Sequence, residues 1–296
     1  MESLPLEVLR RWYADEVRWA SGVTDARIIS AFANVPRENF VSPGPWHLST
    51  PMMSEIYQRT PNADAHHLYH NVMVAIDSSR ELNSALPSYV ARLFQSATIV
   101  EGAHVAQIGA GLGYYSAILS ELVGTRGSVV ALEIEPSLAQ RCASNLSSYH
   151  NVTCIQADGS DYPFEPASLD ALIVHGAVAH IPRRWLEALT IGGHLLVPLS
   201  YSADELGQLA RITRKPKHFH LEFHHDTYTY PCVGTCDDDF ADQLREAVET
   251  YGWYTNSELR FDPEQADASA WLVTPSYWIS MIGSEGGEAL SVVGLR

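Results

Sequence analysis

No stretch of this 296-residue chain stays apolar for about 18 residues, so the sequence offers no candidate membrane span. The first residues, Met1-Glu-Ser-Leu-Pro-Leu-Glu-Val-Leu-Arg-Arg, lack a basic start followed by an apolar block, so they do not read as a secretory signal. Cysteine is scarce. Cys142, Cys154, Cys232 and Cys236 are too few and too scattered for a disulfide framework. Free thiols and a cytoplasmic location are the expectation. Cys232 and Cys236 lie four apart with no second pair, which argues against a zinc site. Basic residues are also in deficit: 19 Lys and Arg stand against 35 Asp and Glu, a net charge of −16. That balance repels phosphate backbones and argues against a general nucleic-acid binder. Internal repeats and low-complexity tracts are missing as well.

What is present suffices for one large domain with an appendage, or two modest domains: 46% of residues are hydrophobic and 10% aromatic. The acidity concentrates at the end, where residues 236–296 hold 12 Asp and Glu against three Arg. This charge favours a cationic peptide partner, or serves solubility alone.

Periodicity gives the elements. Leu6, Leu9, Tyr13 and Val17 mark an amphipathic helix over 6–20. A second helix starts at Thr24 or Asp25 as N-cap and stops before Pro36. Residues 42–67, with four prolines, read as a loop, and Leu68–Ile76 as a strand. Pro87 opens a helix. From Val105, strands near 105–108, 128–133, 152–156, 169–174 and 194–198 alternate with helices near 114–123, 136–147 and 182–189. Such alternation implies an α/β fold with a doubly wound, mostly parallel sheet. Gly192-Gly193 separates the last of these helices from its strand. Segments 206–214 and 217–230 form a hairpin, a helix covers Phe240–Tyr251, and the Trp- and Tyr-rich remainder packs as a small extension. The resulting division is an N-terminal helical, acceptor-side region (1–100), a core (101–235) and a C-terminal extension (236–296).

The chemistry centres on Val105-Ala-Gln-Ile-Gly-Ala-Gly-Leu-Gly-Tyr-Tyr115. A strand runs into a turn with Gly109, Gly111 and Gly113 at alternate positions, then into a helix whose first N–H groups lack partners. Glu133, 24 residues beyond Gly109, sits at the tip of the next strand, where a carboxylate accepts hydrogen bonds from a ribose diol. Asp158 ends the third strand and can receive an adenine amino group. No Lys-Ser/Thr pair follows the glycines, and the third glycine of a dinucleotide fingerprint is absent. S-adenosylmethionine, an adenosyl ligand without phosphates, fits best.

Several motifs now resemble one family. They are Val35-Pro-Arg-Glu-Asn-Phe-Val41, Gln107-Ile-Gly-Ala-Gly-Leu-Gly-Tyr114, Asp158-Gly159, Leu169-Asp-Ala-Leu-Ile-Val174, Ile181-Pro182, Gly192-Gly-His-Leu-Leu-Val-Pro198, Gly207–Arg214 and Tyr230-Pro-Cys-Val-Gly234. Together, over about residues 24–235, they resemble the protein-L-isoaspartate O-methyltransferase family. The resemblance implies a class I S-adenosylmethionine-dependent methyltransferase fold. It places Gln107, Gly109, Gly111, Gly113, Tyr114, Glu133, Ile134, Asp158 and Gly159 at the cofactor, with no metal. It also implies a peptide or protein substrate whose carboxylate is methylated. The extension, and Tyr69-His-Asn-Val-Met-Val74, look like relatives that modify ribosomally made peptides, converting Asp to aspartimide or isoaspartate.

In one place the chain departs from the family pattern. The family serine near the transferred methyl aligns, from Pro87 without gaps, on Ala85; its neighbour Ser84 is the candidate to replace it. His175, at the end of the fourth strand, orients a peptide carboxylate, acts as base for a hydroxyl acceptor, or merely bonds loop backbone. Two other readings therefore stand beside carboxyl methylation: O-methylation of a small hydroxylated metabolite with His175 as base, and a cofactor-binding scaffold that has lost catalysis. His218, His220, Glu222 and His224 alternate on one strand face, expected to be solvated rather than metal-binding. His66, His67 and His70 are surface residues or line the acceptor cleft. Trp253, Trp271 and Trp278 pack the extension on the core or line a peptide groove.

Overall fold

The first apolar stripe folds as expected. In the computed structural model, which describes residues 4–51, 56–202, 205–254 and 256–281, helix α1 spans Leu6–Ser21 and buries Tyr13, Ala14 and Val17. Gly22 closes it in a left-handed conformation, φ 70°, with its N–H on the Arg18 carbonyl. Helix α2, Ala26–Asn34, starts where the Asp25 carboxylate accepts the Arg27 N–H at 2.9 Å. Contacts divide the chain into two dense units: residues 1–105 with 110–157, and residues 106–109 with 158–296.

In the first unit, β1 (His47–Ser49), β2 (Gln58–Arg59), β3 (Met73–Asp77) and β4 (Leu82–Asn83) form an antiparallel sheet in the order β2-β1-β3-β4. Residues 42–67 are therefore not simply a loop: they hold two strands too short for alternation to show, and part of a 3-10 turn, Ala65–Leu68. The strand expected over 68–76 begins only at Met73. Buried Arg37 takes the carbonyls of Leu68, His70 and Val72 into its guanidinium, so these cannot pair in a ladder. Helix α3, Pro87–Ala97, has Pro at its first turn. Then come β5 (His104–Ile108), α4 (Tyr114–Val123), β6 (Ser128–Glu133), α5 (Pro136–Asn145) and β7 (Val152–Gln156). Strands β6 and β7 run parallel, Val129 opposite Val152 and Glu133 opposite Gln156. The two ends of β5 fall in different units, and in the first unit the strand order is β5-β6-β7.

In the second unit the order is β13-β14-β12-β11-β10-β9-β8-β5. Strand β8 (Leu169–Val174), helix α6 (Arg183–Ala188) and strand β9 (Leu189–Leu199) make a parallel pair around one helix. Gly192-Gly193 lies inside β9 rather than before it. While β8 advances from Leu169 to Ala171, its partner on β9 jumps from Leu189 to His194, so the glycines absorb a bulge. Strands β10 (Gly207–Arg214) and β11 (Phe219–Thr227) form the expected antiparallel hairpin. Helix α7, Asp238–Tyr251, is capped by Asp237. Strands β12 (Ser257–Arg260), β13 (Ala270–Val273) and β14 (Trp278–Met281) complete the described chain. The extension does not pack as a separate body. Its β12 pairs with β11, Leu259 opposite Phe219, and continues the same sheet. Trp253 and Trp271, 7% and 2% exposed, set their rings 5.1 and 5.8 Å from that of Phe223 on β11. The expectation for residues 282–296 lies outside the described residues. Among the described residues, no helix is long and apolar enough to cross a membrane.

Candidate active site

Gly109, Gly111 and Gly113 all take left-handed φ values, 80°, 57° and 90°. A side chain in that region costs about 1–2 kcal/mol. Gly113 is also needed for space: a Cβ there would stand 2.8 Å from Leu146 Cδ1 and 3.2 Å from Cys142 Sγ. Gly111 faces open room, with only Ile76 Cδ1 at 3.4 Å from its missing Cβ. The turn is anchored by the Ala110 N–H on the Leu132 carbonyl at 3.0 Å and by Asn145 Nδ2 on the Leu112 carbonyl at 2.9 Å.

Glu133 ends β6 with 6% of its surface exposed. Its Oε2 accepts the Gly111 N–H at 2.7 Å and its Oε1 the Glu135 N–H at 3.0 Å. Burial pushes its pKa above the ordinary glutamate value, against the pull of these backbone donors. A carboxylate offers about four acceptor positions, so two remain for a diol. A bare glycine turn beside a carboxylate with spare acceptor capacity fits the ribose and amino-acid tail of S-adenosylmethionine. Ile134, next along, is 38% exposed. Tyr114 is placed differently. It is buried, its hydroxyl meets that of Tyr13 at 3.2 Å, and its ring stands edge-on to Phe40 and Phe32, so it packs the N-terminal core.

In the second unit, Gln107 is buried on β5. The absent Cβ of Gly109 would lie 3.5 Å from the Cβ of His175, whose N–H donates to the Ile108 carbonyl at 2.9 Å. Asp158 Oδ1 accepts the Ser160 N–H at 2.8 Å and its hydroxyl at 2.7 Å. Gly159 is forced by packing, since a Cβ would strike Ile108 Cγ2 at 2.5 Å. Gly234 crosses Asp158, with its missing Cβ 3.3 Å from Oδ2. Burial lowers the His175 pKa to about 4, so the ring is neutral at pH 7 and a feeble base for a phenol or alcohol.

Ser84 is turned inward. Its Oγ accepts from the Val74 N–H at 3.2 Å and from Arg37 Nη2 at 3.3 Å. Ala85, beside it, takes φ 53°; its N–H donates to Asn83 Oδ1 and its carbonyl accepts the Tyr115 hydroxyl at 3.1 Å. Arg37 is the residue that sequence reasoning did not single out for a role. It is 1% exposed, with its guanidinium carbon 5.7 and 5.6 Å from the ring centres of Tyr13 and Tyr114. Flanked by Asn34, Glu38 and Asn39, it reads in the sequence as an ordinary surface Arg, and nothing local marks it as buried. The histidine row on β11 alternates with buried Phe219, Leu221 and Phe223 as expected. Among the described residues, no cluster of His, Cys, Asp or Glu is built to hold a metal. His66 and His70 remain at the surface, near Asp64 and Glu16.

Comparison with known proteins gives this geometry a family. The profile of the protein-L-isoaspartate(D-aspartate) O-methyltransferases matches residues 15–229. The chain belongs to that family. It is accordingly an S-adenosylmethionine-dependent methyltransferase of the α/β class I fold. The protein-L-isoaspartate O-methyltransferase of Protochlamydia amoebophila is 32% identical to it over 240 residues, covering 80% of this chain and 96% of that one. A solved protein-L-isoaspartate O-methyltransferase superposes with a TM-score of 0.62 at 19% identity, covering 91% of this chain and 88% of its own. A second, a candidate protein-L-isoaspartate O-methyltransferase from Plasmodium falciparum in complex with S-adenosyl-L-homocysteine, superposes at 0.57 with 15% identity, covering 75% and 97%. The methyltransferase fits both structures in fold.

Proposed function

We propose that this methyltransferase esterifies an Asp- or isoAsp-type side-chain carboxylate of a peptide or protein, and that its own acceptor is a ribosomally made peptide. S-adenosylmethionine supplies an activated methyl on a sulfonium sulfur. Glu133 holds the ribose hydroxyls, the turn at Gly109, Gly111 and Gly113 admits the amino-acid tail beside Gln107, and Ile134, Asp158 and Gly159 border the base. Residues 1–100 line the acceptor side, residues 101–235 hold the donor, and residues 236–296 form the extension. The acceptor oxygen bonds to the methyl carbon as the carbon–sulfur bond breaks; a carboxylate and a sulfonium become a neutral ester and a thioether, and no proton leaves. The site therefore needs alignment and exclusion of water rather than a strong base. Ser84, through its remaining O–H, or His175 orients the carboxylate.

The observation that carries this reading is the buried Glu133 carboxylate joined to the Gly111 N–H within a chain matched to the family over residues 15–229. The peptide assignment rests on the chain beyond residue 229 and on its acidity, which suits a cationic peptide. A hydroxyl acceptor with His175 as base is the weaker reading, because an imidazole with a pKa of about 4 removes such a proton poorly.

The test is a methyl-transfer assay with donor labelled on the methyl. Its acceptors are an isoaspartyl peptide, its aspartyl twin, a precursor peptide encoded beside the gene, and a phenolic metabolite. Base-labile label on the peptides supports the proposal, and on the precursor peptide its finer part. Base-stable label on the phenol, or no label anywhere, refutes it.

A further inference from the structure

Beyond Val174, the loop His175–Pro182 is tied down amide by amide. The Ala177 N–H donates to the Tyr230 carbonyl at 2.6 Å and that of Val178 to Pro198 at 2.9 Å. The N–H groups of Ala179 and His180 share the Thr235 carbonyl at 3.0 and 3.2 Å. The Ile181 N–H donates to the Tyr277 hydroxyl at 3.2 Å. The imidazole of His180 lies between two aromatic rings, with Phe240 of α7 at 4.0 Å and Tyr277 at 5.3 Å, each tilted by 14°. Thr235, Phe240 and Tyr277 all come after residue 229, where the family match ends.

The His180 ring is there for its shape. Its Nδ1 is buried without a hydrogen-bond partner among the described residues. Burial lowers its pKa, so a flat neutral ring fills the gap at pH 7. At its other end the loop begins at His175, held on the Ile108 carbonyl and facing the bare Cα of Gly109. A loop that slides therefore moves one wall of the glycine turn and the group proposed to orient the acceptor.

We infer that the C-terminal extension braces the His175–Pro182 loop from within the same chain, and that His180 is a positioning residue acting through its stack between Phe240 and Tyr277. The effect on turnover rests on the carboxyl-methylation reading; the brace itself does not. This assigns the extension an internal task, whatever peptide it also meets.

The experiment uses the full chain and three variants, His180→Ala, His180→Phe and Tyr277→Phe. Hydrogen exchange is read over 177–181, with isoaspartyl-peptide kinetics and S-adenosylhomocysteine titration alongside. In His180→Ala the loop amides exchange faster, and the peptide KM rises about 10-fold, equivalent to about 1.4 kcal/mol. Affinity for S-adenosylhomocysteine stays within about twofold of wild type. His180→Phe keeps a flat ring in the gap and restores KM. Tyr277→Phe removes one oxygen, leaves the stack, and speeds exchange at Ile181.

Wild-type exchange over 177–181 in His180→Ala overturns the brace. An unchanged KM on a methylated peptide, or a loss of S-adenosylhomocysteine affinity in step with KM, which marks general collapse of the site, overturns the positioning role of His180. Should His180→Ala not fold, Tyr277→Phe decides, and unchanged exchange at Ile181 overturns it. Should the wild-type enzyme leave the peptide unmethylated, the acceptor assignment fails and the exchange result still decides the brace.

Discussion

Replacing Glu133 with Gln isolates the carboxylate that links the glycine turn to the end of β6. The native group takes the Gly111 N–H at 2.7 Å and the Glu135 N–H at 3.0 Å, on different oxygens. An amide keeps one of those oxygens and turns an N–H₂ toward the other donor. One backbone N–H then loses its partner, at a cost of about 1–3 kcal/mol to folding. The remaining oxygen cannot serve both hydroxyls of a ribose diol, and each charge-assisted bond lost is worth about 1.5–3 kcal/mol. The structure keeps the fold but weakens S-adenosylhomocysteine by about 10- to 100-fold, read by calorimetry at pH 7.5 with the melting temperature as control. A pH series adds a second readout. Burial holds the Glu133 pKa above the ordinary glutamate value of 4.5, so the free carboxylate protonates before an ordinary glutamate does. The folded chain binds this proton more tightly than the unfolded chain, so Glu133 costs fold stability as pH rises through the window above 4.5. Donor binding needs the charged form, so affinity falls on acidification through the same window, and the Gln variant shows no such fall. Equal affinity of wild type and variant at pH 7.5 would refute the ribose assignment, as would a loss that merely tracks unfolding.

Other positions give independent outcomes. The pKa of His175 drops from 6.5 to about 4 on folding. The unfolded chain therefore takes up this proton first, and native stability falls as pH drops from 6.5 through 4, by about 3–4 kcal/mol at most. His175→Gln abolishes that part of the acid limb in urea unfolding, and an unchanged limb contradicts the assignment. Arg37→Met leaves the carbonyls of Leu68, His70 and Val72 without their donor and should lower stability by about 3–5 kcal/mol, checked by the urea midpoint. Gly113→Ala places a Cβ 2.8 Å from Leu146 Cδ1 at φ 90°, and a loss of about 2–3 kcal/mol is expected in thermal melts.

The parallel core was legible because each strand is an apolar run bounded by turn residues, and Asp25 and Pro87 announce their helices; the cap Asp237, which starts α7 two residues before the expected Phe240, was not read. Glu133 was legible too, since its place depends only on the spacing of one strand-turn-helix-strand unit. What escaped depends on distant partners. Strands β1 and β2, three and two residues long, show no period of their own. The late start of β3 follows from Arg37, 36 residues upstream of Met73. The inward turn of the Ser84 hydroxyl follows from that same guanidinium and from Val74, which no spacing rule reveals. The extension reads as a separate appendage because its Trp and Tyr residues show apolarity but not destination; only the β11–β12 pairing shows that it continues the sheet.

A crystal structure of the chain with S-adenosylhomocysteine tests the central claim most directly. The account predicts both ribose hydroxyls within about 2.5–3.0 Å of the Glu133 carboxylate oxygens, with the amino-acid tail along Gly109 and Gly111. A ligand bound elsewhere, with Glu133 still holding only the Gly111 and Glu135 N–H groups, would contradict it.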